Sequence, residues 1–305
     1  MKKCIYLIFS VSIIMFIEIV NKYFEKLCFL LFPQQQASKK FGFPPFTCLP
    51  TNSRMKFIYS LGLCTILLFT SCTPVDGPRL SASSEEYTPV SANGYLITHN
   101  YYALSYSSTH RQAEFVYHYL PPAHIGGGQE RTDDFRADPK VKSNPVKGTD
   151  YQGSGYDRGH LCPAGDMTIN RTAMSETFFM SNMSPMVPSF NRGIWSKVED
   201  WVRDAALANG GLYVVTGPIL SSSCGSVKQS ITVPCAYYKI VFKGGTNPKM
   251  LGFILSNAGA SGSITRFVVS VDEIEKRTGI DFFPQLDNAI EQQLESRASL
   301  SGWSF

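Results

Sequence analysis

YDRGHLCPAGDM, residues Tyr156 to Met167, and MSNMSPMVPSFNRGIWSKVED, Met180 to Asp200, are the stretches on which the reading of this chain turns. The first places an acid, a fork-shaped cation and a base (Asp157, Arg158 and His160) within four residues, with Gly159 expected to let the backbone bend between them. Those are the ingredients of phosphodiester chemistry. In the second, Ser184, Pro185, Pro188 and Ser189 interrupt regular structure, and the residues from Asn191 to Asn209 then read as a helix that Gly210 and Gly211 stop. Asn191, Trp195 and Glu199 are spaced four apart, a drift of about 40° per step on a helix, so all three are expected on one side of it.

Cleaving a phosphodiester requires a nucleophilic water, relief of charge on the transition state and stabilisation of the departing 3′ oxygen. A neutral imidazole, with a reference pKa of about 6.5, suits the first task. His160 stands in a polar, glycine-flanked context, whereas His99, His110, His118 and His124 lie in ordinary strand or loop sequence. Asn191 offers a neutral hard oxygen of the kind a hydrated Mg²⁺ accepts, although an Asn near a helix start is more often a cap. Glu199, by default a solvated helical charge, becomes a candidate through its eight-residue spacing from Asn191. Arg158 either clamps a phosphate oxygen or pairs with Asp157 to brace the turn.

The ordered motifs resemble the DNA/RNA non-specific endonuclease family of ββα-metal (His-Me finger), endonuclease G-like nucleases. The family's D-R-G-H stands at Asp157 to His160, its S-N at Ser181 and Asn182, its N-x-x-x-W at Asn191 and Trp195, and its helical Glu at Glu199. FRADP (Phe135 to Pro139), TGP (Thr216 to Pro218), VPxAYYK (Val233 to Lys239) and VDEIEKRTGIDFF (Val271 to Phe283) follow in family order, over roughly residues 95 to 290. The resemblance implies His160 as general base and Asn191 as the direct protein ligand of Mg²⁺, with Mn²⁺ as a substitute. It further implies Glu199 orienting the hydrated ion, and DNA and RNA as substrates. It also implies a supporting role for Asn182, for which a loop-bracing amide is the competing reading. A phosphate-binding arginine is expected in RTDDFRADP, at Arg131 or Arg136, with Arg136 alternatively structural. One departure is Met186, where the family commonly has Gln.

The 305 residues, 44% hydrophobic and 17% charged, suffice for one large domain or two small ones. The formal charge of +4 is misleading about partners, because residues 1 to 71 carry eight Lys/Arg against two Asp/Glu. The remainder holds 20 basic and 22 acidic residues, a mildly acidic body. Any phosphate footprint must therefore be a local cluster.

Residues 1 to 54 read either as a membrane-inserting segment or as an extension upstream of a true start at Met55. From Met55 to Ser71, a basic Lys56, an apolar core and small Thr70 and Ser71 precede Cys72, an order similar to a lipoprotein signal peptide with Cys72 as the lipidated residue. Residues 72 to 94 are expected to be a flexible tether, and residues 95 to 305 the nuclease domain. This arrangement places the protein at a bacterial envelope, lipid-anchored to a membrane and facing periplasm or exterior. A homodimer and an inhibitor protein both stay open as partners.

Cys224 and Cys235 are placed to close a disulfide in an oxidising compartment, or else remain buried thiols. His160-x-Cys162 hints at zinc, but without a CxxC or a second His nearby this is the weaker reading. Strands are expected at 113–120, 212–220, 231–243, 250–257 and 264–271, and helices at 272–278 and 286–300. That mixed order argues for an α+β fold, a central antiparallel-rich sheet with flanking helices and a ββα-metal finger. The rival class is a catalytically silent nucleic-acid-binding lipoprotein on the same fold.

Overall fold

Alternation of buried side chains along the strands builds two cores on one sheet. In the computed structural model, which describes residues 87–91 and 93–305, strands β1 (Tyr95–Thr98), β2 (Ala103–Ser107) and β3 (Gln112–Leu120) form a meander. After it come the short strand β4 (Asp157–His160), helix α1 (Arg171–Glu176) and strand β5 (Met183–Met186). Helix α2 (Ser196–Asn209) leads into β6 (Leu212–Pro218), the hairpin β7 (Ser223–Val227) and β8 (Ile231–Pro234), and then β9 (Ala236–Lys243). Strands β10 (Lys249–Ser256) and β11 (Val268–Val269) and helices α3 (Val271–Thr278) and α4 (Asn288–Glu295) complete the order. The central sheet runs β1-β2-β3-β6-β9-β10-β11, and every neighbouring pair is antiparallel.

Period-two side-chain placement sends Val116, Leu120, Val214, Tyr237, Val241, Leu251 and Phe253 to one face. There they meet Val198, Trp201, Val202, Ala205 and Ala206 of α2. Phe115, Tyr117, Val215, Tyr238, Ile240 and Phe242 point the other way, against Val271 and Ile274 of α3 and the adjoining Phe282 and Phe283. The outcome is the α+β architecture expected, with β4 and β5 pairing antiparallel as a separate two-stranded ribbon beside α2.

Several boundaries differ from the sequence reading. The run 264–271 is mostly a 3₁₀ turn, Ile264–Phe267, because Ser263 caps it by accepting from the Thr265 N–H; only Val268 and Val269 pair as strand. Ser270 then caps α3, accepting from the Glu273 N–H. The last helix spans Asn288–Glu295 rather than 286–300, and the chain beyond it turns so that Trp303 packs near Trp201 and Ser304 O accepts from Trp201 Nε1 at 2.6 Å. The run 231–243 divides at Cys235, which is disulfide-bonded to Cys224 across the β7–β8 hairpin.

Part of the stretch expected to be a tether is engaged with the body: Val90 and Asp281 exchange both backbone hydrogen bonds, and Tyr87 packs by Phe242 and Phe283. Residues 1–86, including the extension, the signal-like segment and Cys72, lie outside the described residues. Among the described residues, no helix is long and apolar enough to cross a membrane.

Candidate active site

The β4–β5 ribbon fixes the backbone of the D-R-G-H motif: Asp157 pairs with Met186, Arg158 with Pro185, Gly159 with Ser184 and His160 with Met183. Gly159 serves this ribbon differently from the bend expected. A Cβ there would stand 2.3 Å from Met186 Cγ and Sδ, so glycine is required for close approach of the Met186 side chain. Met186, the departure from the family pattern, is fully buried core. It fills the space over Gly159 and does not itself line the cleft.

After β5, the Phe190 and Asn191 N–H groups both donate to Val187 O, opening a π-helical turn over Phe190–Trp195 that kinks at Gly193 before α2 begins. The widened turn breaks the four-residue register: Trp195 is wholly buried beside Phe190 and Tyr237, while Asn191 and Glu199 both open to the cleft. Gly210, at φ 75°, caps the far end in the left-handed region, as the sequence suggested.

The cleft encloses about 960 Å³ and brings together His160, Asn191, Glu199 and four arginines, Arg131, Arg158, Arg192 and Arg203. Against the acidic body this is the local positive cluster that phosphate binding needs. His160 is half-buried between Phe135 and Phe178, both edge-on to its ring, and its Nε2 is sealed from solvent without a hydrogen-bond partner among the described residues. Burial, with Arg131 and Arg158 adding to it, lowers its pKa to about 3, so the ring is neutral at any working pH.

Asp157 sets the Asn191 amide. Its Oδ2 accepts from Asn191 Nδ2 at 2.9 Å and from Arg192 Nε at 2.8 Å. With the amide nitrogen committed, Asn191 Oδ1 is the atom left to meet a ligand. Burial works to raise the Asp157 carboxyl, but the hydrogen bonds from Arg192 and Asn191 prevail and hold it below the usual range. Arg158 therefore does not brace the turn through Asp157; its guanidinium lies 3.6 Å from the Phe135 ring centroid, exposed at the cleft. Glu199 is pushed up to about 7, chiefly by burial, against the pull of Lys239. Lys239 is itself buried, donates to Thr216 Oγ1 at 2.6 Å and is lowered by its burial.

Two candidates fall elsewhere. Asn182 is completely buried and spends its amide on backbone: Oδ1 accepts from the Cys162 N–H at 2.8 Å, and Nδ2 donates to Cys162 O and Thr177 O. It braces the loop after β4 and does not reach the cleft. Arg136 stacks over Phe179 at 4.1 Å and donates to Asp134 and to Ser175 O, the structural alternative. Arg131 is the arginine of that segment lining the cleft, where it pairs with the exposed Asp133 and lies 4.9 Å from the Phe178 ring centroid.

The sequence reading missed Arg192 and Arg203 as cleft residues, and Lys239 as the buried charge that acts on Glu199 from behind the cleft. Arg203 faces the cleft while pairing with Asp166 and Asp200, and Asp166 in turn is held by His118 at 3.1 Å. Arg192 had the clearest signal available, lying next to Asn191; Lys239 closes the VPxAYYK run. The Cys162 thiol is buried in the core, which pushes its pKa well up, and it belongs to no metal-ligand cluster among the described residues.

Comparison with known proteins agrees with the geometry. The model of the DNA/RNA non-specific endonuclease family matches residues 81–289. A nuclease from Nostoc sp. is 35% identical over 262 residues, covering 76% of this chain and 94% of the relative. Human mitochondrial endonuclease G is 31% identical over 202 residues, covering 61% and 68%. A crystal structure of the EndoG/EndoGI complex, concerned with EndoG inhibition, superposes with a TM-score of 0.62 at 26% identity, covering 70% of this chain and 95% of that one. With its neutral histidine, oriented asparagine and arginine-lined cleft on this fold, the chain belongs to the DNA/RNA non-specific endonuclease family and is a nuclease, a phosphodiester hydrolase.

Proposed function

We propose that the protein is a Mg²⁺-dependent, sequence-non-specific endonuclease that hydrolyses DNA and RNA, with Mn²⁺ able to replace Mg²⁺. The observation that carries this reading is the convergence of His160, Asn191 and Glu199 in one cleft ringed by arginines. The donor set suits a hydrated hard cation: one amide oxygen turned free by Asp157, with a carboxylate nearby, and no thiol or second imidazole. Bound there, the ion supplies neutralisation of the scissile phosphate and of the departing 3′ oxygen.

The chain's own groups do the rest. His160 takes the proton of the attacking water at Nδ1, since Nε2 is closed off from solvent. Arg158 and Arg131 clamp non-bridging phosphate oxygens, and Glu199 accepts hydrogen bonds from water in the cleft. Because these contacts address the backbone of the nucleic acid, sequence preference should be slight. Plasmid nicking across a metal series tests the reading. Activity should appear with Mg²⁺ and vanish in EDTA and in His160→Ala; a silent binding protein would retain DNA and never nick it.

We further propose anchoring at a bacterial envelope through lipidated Cys72, a reading supported by the Cys224–Cys235 disulfide, which fits an oxidising compartment. Metabolic labelling with a fatty acid should mark the protein and fail to mark Cys72→Ala. Equal labelling of both would end this proposal.

A further inference from the structure

Helices α3 and α4 meet on the second face of the sheet, and three carboxylates converge at their junction. Asp272 stands in the first turn of α3, Glu275 one turn further, and Glu295 at the last residue of α4. Each offers one oxygen, and the three oxygens lie within 4.8 Å of one another. Acidic clusters are common at surfaces, so the decisive feature is Glu295. It is only 4% exposed, and its Oε1 is sealed from solvent with no hydrogen-bond partner among the described residues.

Among the described residues, none of the three carboxylates has an ion-pair partner, and Arg277 on the same helix is taken by Glu273 at 2.7 Å. Glu291 and Asp281 add further negative charge around Glu295. Glu275 turns Oε1 to the Phe282 N–H at 2.9 Å, which fixes its carboxylate and leaves the other oxygen uncommitted. Exposed Asp272 leaves the cluster open to solvent on one side. A buried, unpaired carboxylate among other carboxylates is unfavourable unless a proton neutralises it or a cation joins the group, and the convergence of three carboxylate oxygens favours the cation.

We propose that Asp272, Glu275 and Glu295 form a second metal site, of the calcium type, separate from the catalytic cleft. Ca²⁺ accepts three carboxylates in flexible geometry at about 2.3 to 2.6 Å, so ligand oxygens on opposite sides of it stand up to about 5 Å apart. Mg²⁺, at about 2.0 to 2.1 Å with near-ideal octahedral demands, keeps most of its water and uses fewer carboxylates. The ion ties the end of α4 to the start of α3 and so fastens the C-terminal helix to the sheet.

The test is Tb³⁺ luminescence and Ca²⁺ titration calorimetry on metal-stripped full-length protein, read with melting temperature. Asn191→Ala serves as the background in which the cleft no longer holds a cation. Expected are one Ca²⁺ per chain in that background and a Ca²⁺-dependent rise in melting temperature. Glu295→Gln and Asp272→Asn should each weaken binding about tenfold or more. Asp272 is exposed, so its variant carries the test if Glu295→Gln does not fold. The proposal is overturned if Asn191→Ala binds no Ca²⁺, or if binding survives both carboxylate substitutions. It is equally overturned if Glu295→Gln melts no lower than wild type while Ca²⁺ has no effect, the signature of a buried proton in place of an ion.

Discussion

Glu199 and His160 divide the acid side of the pH profile between them in an unusual way. Burial lowers the imidazole pKa to about 3, so the ring stays unprotonated through the working range and its own titration does not set the acid limb. The Glu199 carboxyl, raised by burial to about 7, must ionise before both of its oxygens can accept hydrogen bonds and it can offer a negative charge to a hydrated cation. The rate should therefore fall as pH drops below about 7, and this limb should disappear, at a lower plateau, in Glu199→Gln. Raising the divalent cation concentration should move the limb to lower pH, since a cation favours the ionised form. A limb near 6.5 that survives in Glu199→Gln would instead assign the titration to histidine. Asp157 allows a second prediction at this scale. Asp157→Ala frees the Asn191 amide to rotate, so the Mg²⁺ concentration for half-maximal nicking should rise about tenfold or more, the usual cost of losing a ligand-orienting partner. Unchanged metal dependence would show that Asp157 serves only Arg192.

The ribbon and the helix show what the sequence could and could not tell. The ordered motifs made legible that the D-R-G-H stretch and α2 would form the site and that His160, Asn191 and Glu199 would share it, but not β5, because Ser184 and Pro185, read as breakers of regular structure, pair as strand with Gly159 and Arg158. Helical periodicity failed at Trp195, because a π turn and the kink at Gly193 are backbone choices set by the Val187 carbonyl and by tertiary packing, not by residue spacing. At Asn182 and Arg136 the sequence left a site role and a bracing role open, and the bracing role holds for a related reason: a motif gives residue identity, while the direction of an amide or guanidinium depends on which backbone groups need partners. Gly159 illustrates the same limit, since its need arises from a side chain 27 positions away. Gly159→Ala should destabilise the fold by about 1 to 3 kcal/mol in urea unfolding, and Gly159→Ala with Met186→Ala should recover part of the loss relative to additivity. Strict additivity would show that the two side chains do not compete for one space.

Charge is distributed so that the body repels nucleic acid weakly while the cleft attracts it. Residues 72 to 305 hold 20 basic and 22 acidic side chains, yet the cleft gathers four arginines with Asp157 and Glu199 as its acids. Binding should weaken steeply with salt, and Arg131→Ala and Arg158→Ala should each reduce the slope of log affinity against log salt by about 0.7 to 1, similarly for different sequences. A loss confined to particular sequences would point to base contacts instead. The antiparallel-rich sheet with flanking helices was legible in the mixed order of strand and helix runs; the strand order, the two cores and the cleft were not, because they depend on how distant segments come together. The pairing of Val90 with Asp281, backed by Tyr87 against Phe242 and Phe283, has a mechanical meaning of its own. Traction applied to the chain upstream is borne first by two backbone bonds and an aromatic wedge at the margin of the second core. The catalytic ribbon stays unloaded until that clasp has torn.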